Sequence, residues 1–104
     1  MNKDRIIIPY QMNGPLYPGC LQINVAGVIR MLGIEKVNGV ESLLLEVDLT
    51  RQGEYPFSEI NIVELGSNYQ PQGIYIGVVD GTYAIFDNSG FHDIEVVEKE
   101  IVKA

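Results

Sequence analysis

The chain has 104 residues, 46% of them apolar and 20% charged, with 14 acidic and 7 basic side chains for a formal charge of −7. That length and composition describe one globular domain with a single core and exclude a disordered chain. One cysteine (Cys20) and one histidine (His92) exclude an internal disulfide and every metal or catalytic arrangement that needs two of either.

Residues 1–19 read as a partly irregular segment containing Tyr and Pro, opening a single β domain over residues 1–104. Met1 to Arg5 is polar, and Ile6-Ile7-Ile8 is too short for a signal segment. The apolar run Val25–Leu32 is interrupted by Arg30 and cannot span a bilayer. A cytoplasmic location is the expectation. Leu21–Leu32 fits two templates. Leu21, Ile23, Val25, Ile29 and Met31 alternate as in a strand, while Leu21, Val25, Val28 and Leu32 fit a helix ended by Gly33. The β-branched content and Gly27 favour a bent strand.

Asn38-Gly39 and Asp80-Gly81 lie between apolar runs and tolerate the positive φ that a two-residue type I′ turn demands. Around Asn38-Gly39 the predicted pairs are Lys36 with Glu41, Ile34 with Leu43, and Leu32 with Leu45. Leu43-Leu44-Leu45 and Val47 suggest a strand buried on both sides, and Ile60–Leu65 a further short strand. Around Asp80-Gly81 the predicted pairs are Val78 with Tyr83, Gly77 with Ala84, Ile76 with Ile85 and Tyr75 with Phe86. A turn at residues 88–91 would return a third strand, with Ile94 beside Ile85, Val96 beside Tyr83 and His92 opposite Asp87. The tail Glu95–Lys103 reads as strand more readily than helix. The expected fold is all-β, with room for one short helix. It is a barrel or sandwich of six or seven strands with a C-terminal antiparallel meander.

Little in the chain supports catalysis. Cys20 and His92 form a nucleophile–base pair only if the fold joins them. Carboxylate pairs at glycosidase spacing arise by chance among so many acids. Asp87-Asn88-Ser89-Gly90 with Asp93 lacks the length and bidentate Glu of a calcium loop and is better explained by Asx turn chemistry. No phosphate-binding loop is present. No metal and no cofactor is expected, and an enzyme relying on carboxylates alone is the third reading.

Charge placement carries the leading functional expectation. Five acids balance five bases up to Arg51. Between Arg51 and Lys99 there are eight carboxylates (Glu54, Glu59, Glu64, Asp80, Asp87, Asp93, Glu95 and Glu98) and no Lys or Arg. Such a block favours a basic partner and repels nucleic acid and anionic membrane. The scattered bases offer no direct nucleic-acid patch. The expectation is a non-enzymatic acidic interaction or inhibitor protein. It would use Glu54, Glu59, Glu64, Asp93 and Glu95 on a basic protein partner, such as one that binds nucleic acid.

The alternative is a small-molecule module. Tyr10, Tyr17, Tyr55 and Tyr69 each lie within two residues of a proline, and gathered at one end of a barrel they would wall a cleft. A central hairpin apolar on both faces would also need cover, which predicts a homo-oligomer with Tyr75, Val79 and Phe86 near the contact. Small acidic all-β chains without a catalytic set are common among phage and mobile-element genes, an analogy of composition alone.

Overall fold

The computed structural model describes residues 4–12, 14–70 and 72–89. They form seven strands: β1 (Arg5–Gln11), β2 (Gly19–Ile23), β3 (Val28–Val37), β4 (Val40–Asp48), β5 (Ser58–Glu64), β6 (Ile74–Val79) and β7 (Tyr83–Asp87). All pairings are antiparallel. Sheet I has the order β1-β4-β3 and sheet II the order β2-β5-β7-β6. No helix among the described residues is long and apolar enough to cross a membrane.

The segment read as one bent strand, Leu21–Leu32, is strand at both ends but breaks between Ile23 and Val28. Its first part joins sheet II and its second part joins sheet I. Gly27 makes the crossing possible. It takes φ 85°, and a Cβ there would sit 2.7 Å from the Asp48 carbonyl oxygen, a conformation and an approach open only to glycine.

The first hairpin turns at Asn38 (φ 52°) and Gly39 (φ 80°), with Val37 opposite Val40. Lys36 faces Glu41 and Ile34 faces Leu43 as the sequence predicts. The third predicted pair is displaced, because a bulge between Met31 and Gly33 brings Met31 opposite Leu45. Met31 is thereby buried, and Leu32 is turned out to 43% exposure. An extra residue in a strand sends the next side chain to the other face.

The second hairpin turns at Asp80 (φ 56°) and Gly81 (φ 60°), closed by the Thr82 N–H donating to the Val79 carbonyl over 3.1 Å. Far from the turn the predicted register holds, with Tyr75 opposite Phe86. Near the turn it is off by one. Tyr83 faces Val79 rather than Val78, Ala84 faces Val78 rather than Gly77, and Ile85 faces Gly77 rather than Ile76. Thr82 is a third residue in the turn, before β7 begins, and a bulge at Ile76 of β6 takes the offset back. Val79 therefore belongs to the main core at 2% exposure, not to the second face where the sequence register put it.

On the side of β7 away from β6, where the sequence predicts a third strand, the partner is β5. Both edges of β7 are taken, by β6 and by β5, and Ile62 and Glu64 sit opposite Ile85 and Tyr83. Ile94, Val96, His92, Asp93 and Glu95 lie outside the described residues.

The main core fills the space between the sheets. Leu43, Leu45 and Val47 of β4 meet Ile60 and Ile62 of β5 and Ile85 of β7, with Ile23, Val28 and Met31 completing it. Each such buried side chain contributes roughly 1.5–3 kcal/mol. The sheets approach along one side, where β6 lies against Ile34 of β3. Among the described residues, β1, β2, β3 and β6 are each paired on one side only. The result is a small sandwich, an unclosed barrel.

Candidate functional site

The cations of the described chain are confined to one half. Sheet I holds Arg5, Arg30 and Lys36, and Arg51 follows β4. The strands of sheet II contain Glu59, Glu64 and Asp87 and no Lys or Arg. The arginines of the first half are paired. Arg30 Nε lies 3.0 Å from Glu46 Oε1, and Arg5 reaches Glu46 at 3.9 Å and Asp48 at 3.7 Å. Arg51 Nε meets Glu54 Oε2 at 2.7 Å, with its guanidinium 5.0 Å from the Tyr55 ring centroid.

The carboxylates expected to act together are dispersed. Glu54 is tied to Arg51. Glu59 shares its face of β5 with Asn61 and Val63, the face turned away from Ile60 and Ile62 in the core. Glu64, an odd number of residues on, falls on the opposite face at the strand end. Glu59 and Glu64 take part in none of the ion pairs among the described residues.

The outer face of sheet II is instead built from two halves. One is polar. Asn88 Nδ2 donates to Glu59 Oε2 over 2.6 Å and approaches Cys20 Sγ at 3.9 Å, and Asn61 Oδ1 lies 4.0 Å from the same sulfur. Gln22 stands opposite Glu59 in the register. The other half is aromatic. Phe86 is buried against Val63 and Ala84, with the Tyr69 and Tyr75 rings each 5.7 Å away, tilted and edge-on. Those two rings are about half exposed, at 48% and 57%. Phe86 and Val79 are thus covered within the chain, and of the predicted self-association trio only Tyr75 is open to solvent. Asn61, Asn88 and the Phe86 platform come together through the pairing of β5 with β7, which no local signal announces.

The four tyrosines expected to wall one cleft do not meet. Tyr10 packs on the main core, Tyr55 is buried on Ile29, and Tyr69 lies on sheet II. Of the four, Tyr17 alone lines a cleft of about 770 Å³ between Met12, residues 14–18 and the two hairpin turns. Leu16, Lys36, Glu41, Val79 and Tyr83 also line it. There the Asp80 N–H donates to Glu41 Oε1 over 2.6 Å, fastening the two turns together.

Nucleophilic chemistry finds no support at Cys20. Desolvation and then the Glu59 charge push its thiol above the ordinary range, which keeps it protonated at neutral pH. The Asx-turn reading at Asp87 matches the geometry, since the Ser89 N–H donates to Asp87 Oδ1 over 2.9 Å. No group of three metal-ligating side chains occurs among the described residues. No family model, no curated protein and no solved structure compared with this chain matches it, so its own geometry carries the functional argument.

Proposed function

We propose that this chain is a non-enzymatic binding protein that presents sheet II to a basic surface of a protein partner. The observation behind this reading is the division of charge. Sheet I neutralises its arginines internally, whereas the strands of sheet II hold carboxylates and no cation. Tyr69 and Tyr75, packed on Phe86, add large, rigid contact area to the same sheet. Capture of partners from host extract, at low salt and at roughly 0.5 M, tests it. Steep loss with salt, and loss on Glu59→Lys but not on Glu35→Lys in sheet I, is the expected pattern. Salt-insensitive capture overturns it.

The cleft beside Tyr17 favours a second reading, a small-molecule module. Its volume of about 770 Å³ falls within the range of ligand sites. Native mass spectrometry of freshly purified protein separates the two. A stoichiometric added mass supports the module, and a bare chain mass counts against retention of a ligand.

A further inference from the structure

Among the described residues the sandwich has four edge strands: β1 and β3 in sheet I, β2 and β6 in sheet II. An exposed edge offers a row of unpaired N–H and C=O groups, and proteins usually blunt it with Pro, charge or cover. Three of the four are blunted here. β3 and β6 lie against each other where Gly77 meets Ile34. β1 carries Pro9 and Arg5. β2, with the sequence Gly-Cys-Leu-Gln-Ile, has no proline and no charge, and Gly19 to Gln22 are all exposed.

We infer that the edge of β2 left unpaired among the described residues accepts an extended, lysine- or arginine-bearing segment of the partner, which adds a strand to sheet II. The inference rests on the basic-partner reading proposed above. Charge complementarity selects this occupant. An added strand lies about 4.8 Å beyond β2 and so roughly 10 Å from β5, where Glu59 faces outward opposite Gln22. A cation on the outer face of the incoming strand comes within about one screening length of that carboxylate. The alternate residues of the segment fall on the core side, beside Leu21, whose 37% exposure they would cover. Main-chain hydrogen bonds then provide affinity and the alternation provides specificity. A second copy is disfavoured as occupant. It brings another sheet whose strands carry carboxylates and no cation against this one.

The test uses the full chain and an octapeptide alternating lysine with valine or threonine, followed by amide hydrogen exchange and titration. Expected are slowed exchange at Gly19–Ile23, at least about tenfold weaker binding when the peptide is N-methylated at alternate residues, and similar loss with Gln22→Lys. Salt-dependent binding without protection of β2, and indifferent to N-methylation, overturns the edge inference while the basic-partner reading stands. No binding at low salt overturns both. Protection of β2 that grows with protein concentration, without peptide, assigns the edge to a second copy and overturns the inference.

Discussion

Gly77 of β6 and Ile34 of β3 touch across the seam between the two sheets, so closely that a Cβ on Gly77 would sit 2.8 Å from Cγ1 of Ile34. Gly77 has no positive φ, so the demand is for space and not for backbone freedom. Gly77→Ala is expected to cost about 1–3 kcal/mol by overpacking. Combining it with Ile34→Val should recover part of that loss. Urea denaturation of the two single variants and the double variant checks it, and simple additivity would rule the contact out as the cause.

Phe86 is buried between Tyr69 and Tyr75 rather than offered to another molecule. Phe86→Ala should therefore destabilise the fold by about 3–5 kcal/mol, whatever the protein concentration. Tyr75→Ala, at a half-exposed position, should cost about 1 kcal/mol. Thermal melts at two concentrations test this, and a concentration-dependent effect of Phe86→Ala would contradict it.

Asp48 accepts from both Thr50 Oγ1, at 2.6 Å, and the Thr50 N–H, at 2.9 Å. The Thr50 hydroxyl is the main influence holding its carboxyl below the ordinary value of 3.8, with the Thr50 N–H, Arg5 and Arg51 adding to it against the opposing effect of burial. A depressed pKa in the folded state means this contribution is full above the unfolded value and fades as pH falls through the folded one. Thr50→Val should lower stability by about 1 kcal/mol at neutral pH and flatten the acid limb below the ordinary carboxylate value. Denaturation midpoints from neutral pH down to strong acid measure it. An unchanged acid limb would count against the assignment.

The Cys20 thiol is raised first by desolvation and next by Glu59. Glu59→Gln should lower the thiol pKa and speed alkylation by iodoacetamide at mildly alkaline pH, because the thiolate is the reacting form. Alkylation no faster than in the parent chain would show that desolvation alone sets the thiol.

The sequence disclosed turns better than pairings. Asn38-Gly39 and Asp80-Gly81 named both hairpins because only a few residue types accept positive φ at two adjacent positions. The sides of Val79 and Leu32 were hidden, because a third turn residue at Thr82 and bulges at Ile76 and at Met31–Gly33 leave no mark in an alternating pattern. The pairing of β5 with β7 was also beyond reach. Ile62 finds Ile85 across more than twenty intervening residues, and only the burial of both decides it. For the same reason the acids of one sequence block end on opposite faces of β5, and tyrosines with similar neighbours end in different parts of the fold.

Separating the cations of sheet I from the cation-free strands of sheet II also gives the described chain an electric dipole directed across the sandwich. In the field of a basic partner such a body feels a torque before any atom touches. It arrives with sheet II foremost, which shortens the search over orientations that limits most protein encounters. Adding a positive charge to sheet I would change how often an encounter succeeds while leaving the docked contacts as they are.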